Sequence, residues 1–181
     1  MSQHGKQPSE EVDDRQLRLA REAGDAYRAA VDYMIEEVAN TGDTREVGDY
    51  VVGFAQEEAE GLYELVGEGE FAWREPDDEN AHVEVVVADA DDGRMVPGAE
   101  VSVRISDRDD ETVESATLPL LWHPGLYHYG ANVRLPGDGT YSLQIRVEPP
   151  EIHRHDEENG HRYGEPVEVT FEDVEVTTGQ G

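Results

Sequence analysis

The chain has 181 residues, room for one domain or for a small domain with an appendage. Asp and Glu number 43 against 14 Lys and Arg, a formal net charge of −29, and cysteine is absent. That balance excludes a phosphate-neutralising nucleic-acid binder, a disulfide-stapled fold and a thiolate metal site, and no run of about 20 apolar residues could span a bilayer.

High charge can defeat a core altogether. Here, however, apolar residues make up 36% of the chain and recur periodically, and Lys6 is the only lysine. The pattern points to a folded, acidic, halophilic protein whose carboxylates hydrate its surface. Most acids are then solvent-facing background, and acid pairs carry little weight as signs of acid–base chemistry.

Residues 1–13 read as a flexible tail without an apolar signal-peptide segment. From Asp14 to about Asn40, Leu17, Ala20, Tyr27, Val31, Met34, Ile35 and Val38 recur at helical spacing, with Asp13 or Asp14 as the cap. Val47, Tyr50, Val51, Phe54, Leu62, Leu65 and Val66 suggest a second helix capped by Thr44, so residues 14–75 read as a helical hairpin and linker. The period then changes to two. Val83, Val85 and Val87 alternate; so do Val101, Val103 and Ile105, and Tyr141, Leu143, Ile145 and Val147. In the last run the phase slips near Glu172-Asp173, which suggests a bulge or bend. Residues 76–178 read as an Ig-like antiparallel β-sandwich, making the chain mainly β, and α+β overall with its helical hairpin.

Histidine is the informative residue type. Six of the seven lie in the β half: His82, His123, His128, His153, His155 and His161. They fall next to strand signals in segments rich in Pro and Gly. Imidazoles on separate loops of a sandwich can converge on one metal ion, although a His-x-His loop can also be merely solvated.

The stretch from His128-Tyr-Gly-Ala-Asn-Val through Pro136-Gly-Asp-Gly139 to Glu148-Pro-Pro150 resembles the signature of the periplasmic ferrous-iron transport proteins. These are small Ig-like metal-binding sandwiches that accompany iron uptake. His153-Arg-His155-Asp and His82-Val-Glu-Val are similar to two further landmarks, so the resemblance covers about residues 80–175. It implies metal ligation by His82, His128 and His155. The family's methionine ligand, from a Met-Pro-Met stretch, is replaced here by Leu118-Pro-Leu-Leu121. His123 is the substitute nearest in sequence. His153, Glu84 and Met95 are further candidates, Glu84 because it shares a strand face with His82.

Losing the thioether shifts the expected cargo from Cu(I) toward divalent Fe, Cu or Zn. The expected function is metal binding without catalysis, with handover to a membrane iron permease or within a homodimer. Binding should weaken as pH falls through about 6.5, the pKa of a free imidazole. The alternative is a metal-free interaction module that uses its helices for docking or dimerisation. Lack of a signal segment suggests the cytoplasm, whereas the resemblance implies an extracytoplasmic site of action.

Overall fold

The computed structural model describes residues 5–181. Helix α1, Asp14–Tyr33, ends in a π-helical turn, Met34–Val38. It starts at a capping box. The Asp13 carboxylate accepts from the Gln16 N–H, and the Gln16 amide oxygen accepts from the Asp13 N–H.

Eleven strands follow: β1 Thr41–Val47, β2 Tyr50–Glu57, β3 Leu62–Gly67, β4 Glu70–Arg74, β5 Ala81–Asp89, β6 Val101–Ser106, β7 Thr112–Leu118, β8 Leu120–Leu121, β9 His128–Val133, β10 Gly139–Val147 and β11 Val167–Val176. One sheet runs β1-β2-β5-β9-β8 and the other β11-β10-β6-β7, while β3 and β4 form a separate hairpin. The sheets enclose a core in which Val83, Val85 and Val87 meet Val103, Ile105, Ile145 and Phe171. Of the bulge or bend expected in the last strand, the structure has the bulge. Tyr141 pairs with Val174 and Leu143 with Phe171, so Glu172 and Asp173 oppose one residue, and Asp173 has φ 55°.

The mainly β sandwich follows the sequence pattern, but the second helix does not exist. Thr44 lies inside β1, and Val47, Tyr50, Val51 and Phe54 fall on two strands joined at Gly48-Asp49. The β1-β2 pair belongs to the main sheet, so the sandwich begins near residue 41 rather than 76. The cause is burial of β2 on both faces. Tyr50, Val52 and Phe54 face the sandwich core, while Ala55 packs under the helix. A strand buried on both sides loses its alternation, and its apolar residues then also satisfy an i, i+3, i+4, i+7 template.

Helix α1 lies on the outer face of the five-stranded sheet. Val31 and Met34 bury against Ala55 and Val86, flanked by Tyr27, Ile35 and Leu126. Its apolar stripe is therefore spent on its own sheet rather than on a partner.

The expected loose tail is different in its described part. Lys6 reaches Asp89 (2.9 Å), the Gln7 N–H donates to Asn159 (2.9 Å) and the Ser9 hydroxyl donates to Asp156 (3.0 Å). Residues 1–4, including His4, lie outside the described residues. Asp89 is the anchor of this end of the sandwich. Besides Lys6 it accepts from the N–H groups of Asp91 and Asp92, from Arg162 and from the Tyr163 hydroxyl.

Candidate metal centre

The outer face of β5 is divided between two neighbours. Val86 lies under α1. His82 and Glu84, further toward the strand's start on the same face, meet His128 from the first position of β9. One ligand atom from each of the three lies within 4.8 Å of the other two. The Glu84 Oε1 atom stands 3.2 Å from His128 Nε2 and 3.9 Å from His82 Nε2.

All three side chains are buried, with residue exposures of 0% for His82, 5% for Glu84 and 3% for His128. Among the described residues, His82 Nε2, Glu84 Oε2 and both ring nitrogens of His128 make no well-aligned hydrogen bond, although His128 Nε2 faces Glu84 Oε1. Buried polar atoms left unpaired cost on the order of 1–3 kcal/mol each. Four in one cluster would be a poor arrangement unless something else satisfied them.

The neighbours make room for such a guest. Gly130 pairs with Glu84 across β5 and β9. A Cβ there would lie 3.1 Å from His82 Nε2, 3.2 Å from His128 Cδ2 and 3.2 Å from Leu121 Cδ1. The two imidazoles and Leu121 thus converge over a backbone position that carries no side chain. Leu121 faces His128 across β8 and β9 and belongs to the Leu118–Leu121 stretch that replaces the methionine stretch of the resemblance. A groove of about 1090 Å³ between the β3-β4 hairpin and β8 reaches Gly130 and Asn132 at the edge of the cluster.

Electrostatics reflect the burial. Burial first, and then the charges of Glu57 and Glu60, raise the Glu84 carboxyl to about 8. Burial first, and then His82, lower the His128 imidazole to about 4. These shifts favour the protonated form of Glu84 and the neutral form of His128 near neutral pH. Neutral imidazole and, once its proton leaves, carboxylate are the donors that borderline divalent ions take.

A family model described as Fe2+ transport protein matches residues 73–177.

This chain belongs to the Fe2+ transport protein family.

UPF0423 proteins of Brucella abortus and Brucella suis are 31% identical to it over 129 residues, covering 62% of this chain and 70% of theirs. Among solved structures, P19 of Campylobacter jejuni, reconstituted with copper, superposes with a TM-score of 0.62 at 20% identity, covering 77% of this chain and 96% of P19. FetP of uropathogenic Escherichia coli F11 gives 0.61 at 20%, covering 76% and 94%. Both share the fold.

The structure groups only part of the expected ligand set. His82, His128 and Glu84 come together. His155 does not join them. Its side chain is 94% exposed and its Nδ1 faces Glu11 at 3.2 Å. Neighbouring His153 is also exposed. Both ride on the long segment after β10, outside the sheet that carries the cluster. Met95 packs against the sandwich core and bridges Ala88, several residues along β5 from His82. His123 sits at the margin, its ring 6.0 Å from that of His128. It is exposed, and its Nδ1 accepts from the Gly125 N–H at 2.9 Å.

Sequence reasoning passed over Asn132 and Glu60. Asn132 pairs with His82 across the strands, and Glu60 Oε1 lies 3.7 Å from His82 Nε2. The signal for Asn132 was present in His128-Tyr-Gly-Ala-Asn132, but its role depends on β9 lying beside β5.

Proposed function

We propose that this protein is a non-catalytic carrier whose cargo is a divalent transition-metal ion, iron or copper, taken up by His82, Glu84 and His128 and passed to a partner. The observation that carries the reading is the group of buried donor atoms left without a well-aligned hydrogen bond among the described residues, converging where Gly130 leaves space. The copper held by P19 supports a transition metal. Absence of a thioether or thiolate among these three donors favours Fe(II), Zn(II) or Cu(II) over Cu(I). A membrane iron permease or a second copy of the chain is the partner class the family implies. The resemblance to periplasmic ferrous-iron transport proteins favours a site of action outside the cytoplasm.

The metal-free alternative is weaker on physical grounds. It would leave the buried donors of two imidazoles and a carboxyl unsatisfied without return. It would also need a helical docking surface, and α1 already spends its apolar stripe on the sheet.

Anaerobic titration calorimetry with Fe(II), and separate titrations with Cu(II) and Zn(II), tests the reading. One ion should bind per chain, and a His82→Ala, His128→Ala double variant should lose at least a hundredfold in affinity. Wild-type affinity in the folded double variant would sink it.

A further inference from the structure

The carrier reading leaves the solvent side of the centre to Glu60. Its Oε1 stands 3.7 Å from His82 Nε2, which makes no hydrogen bond among the described residues, and its side chain is 44% exposed, so the carboxylate connects the buried cluster with solvent.

The backbone under Glu60 is held firmly. The Ala59 N–H donates to the Gly179 carbonyl (3.0 Å), and the Ala59 carbonyl accepts from the Gly181 N–H (2.9 Å). Asn132 takes both backbone groups of Glu60. Its Oδ1 accepts from the Glu60 N–H (3.2 Å) and its Nδ2 donates to the Glu60 carbonyl (2.7 Å). The same Oδ1 stands 2.9 Å from His82 Nδ1.

These contacts fix a proton. A backbone N–H can only donate, so the Asn132 atom facing it is the oxygen. An amide oxygen can only accept, so His82 Nδ1 must carry the hydrogen. In the neutral ring the lone pair then lies on Nε2, the atom buried beside Glu84 and Glu60. An imidazole held this way through its far nitrogen is an oriented metal ligand.

We propose that Glu60 is the solvent-side ligand that closes the site over the ion, and that Asn132 is the positioning residue that sets both the Glu60 backbone and the His82 tautomer. The inference rests on the carrier reading and specifies its donor set as two imidazoles and two carboxylates. Two carboxylates balance the charge of a divalent ion, and two imidazoles favour the transition series over Mg(II) or Ca(II). Glu60 is the carboxylate that must swing for the ion to enter or leave, because Glu84 is enclosed.

Zn(II), which has no redox chemistry, is the probe. Glu60→Gln should lower Zn(II) affinity ten- to a hundredfold by calorimetry, with the tautomer of His82 unchanged. Long-range ¹H–¹⁵N spectra of the metal-free wild type should show the His82 proton on Nδ1. Asn132→Asp keeps the acceptor and should keep that tautomer, whereas Asn132→Leu should lose it and should lower Zn(II) affinity by a similar factor. Wild-type Zn(II) affinity in Glu60→Gln, or a His82 proton on Nε2 in the wild type, overturns the proposal. If the His82→Ala, His128→Ala variant loses Zn(II) while Glu60→Gln binds normally, only the role of Glu60 falls. If that double variant binds like wild type, the carrier reading falls with it.

Discussion

Gly130 stands across the β5-β9 pairing from Glu84, and a Cβ on it would sit 3.1 Å from His82 Nε2 and 3.2 Å from His128 Cδ2. Its backbone is not in the left-handed region, so glycine is needed here for space and not for conformation. Gly130→Ala should therefore keep the fold and spread the imidazoles by a few tenths of an ångström. Ligand geometry tolerates little displacement, and metal affinity should drop about tenfold or more. Circular dichroism with calorimetry separates the two effects. Unchanged affinity would mean that the ion does not sit over Gly130.

Glu84 should link metal binding to pH. An ordinary glutamate titrates at 4.5, and in the metal-free fold burial and the neighbouring Glu57 and Glu60 raise this one to about 8. Between those values the folded chain holds a proton that the unfolded chain has released. Stability of the metal-free protein should then fall as pH rises through that window. Glu84→Gln removes the effect. It should be more stable than wild type at pH 8.5, by a few kcal/mol, should differ little near pH 4, and should bind metal poorly. Urea denaturation across the range checks the sign.

The same carboxyl should make metal binding release about one proton at pH 7, since a divalent ion displaces the Glu84 proton. His128 adds nothing there, because it is already neutral with its pKa lowered to about 4. Affinity should climb about tenfold per pH unit up to about 8, well above the 6.5 expected of a free imidazole. Calorimetry in two buffers of different ionisation enthalpy counts the protons. A count of zero at pH 7 would contradict the state assigned to Glu84.

How much of this was legible depends on whether a residue works within its own strand or across strands. Alternation in β5, β6 and β10 marked the sandwich, and the slip at Glu172-Asp173 marked its bulge. The β1-β2 and β3-β4 hairpins were hidden because β2 is buried on both faces and the β3-β4 hairpin leaves Tyr63, Leu65, Phe71 and Trp73 exposed. Gly48 and Gly69, both at positive φ in two-residue turns, were the overlooked signals. His82, Glu84 and His128 were nameable, two of them because the resemblance reached them and Glu84 because it shares a strand face with His82. Asn132 and Glu60 act through pairing and loop position, which no spacing rule contains. His155 lies outside the buried group within one chain, exposed beside Glu11.

At the opposite end of β5, Asp89 should set the acid limit of stability. Burial alone would raise its pKa, but hydrogen bonds from Tyr163, Lys6 and the Asp92 N–H outweigh that and lower it to about 2. The unfolded value is near 3.8. Its contribution, about 2 kcal/mol, is complete above that value and fades as pH falls toward 2. Asp89→Asn should flatten the stability curve between pH 4 and 2 and destabilise the protein at neutral pH by removing one partner of a buried charge network. Denaturation midpoints against pH read both changes.

Exchange at Leu121 should alter the metal preference of the proposed site. It pairs with His128, and its Cδ1 borders the space above Gly130. Leu-to-Met exchange keeps volume and costs less than about 1.5 kcal/mol in a packed site. A thioether there adds a soft donor beside two imidazoles, which favours Cu(I). Leu121→Met should raise Cu(I) affinity at least tenfold in competition with a chromogenic Cu(I) chelator, while Zn(II) affinity stays within about threefold. Equal Cu(I) affinities would show that the Leu121 position does not face the ion, and the loss of the family's methionine would then leave metal choice to Glu84 and Glu60.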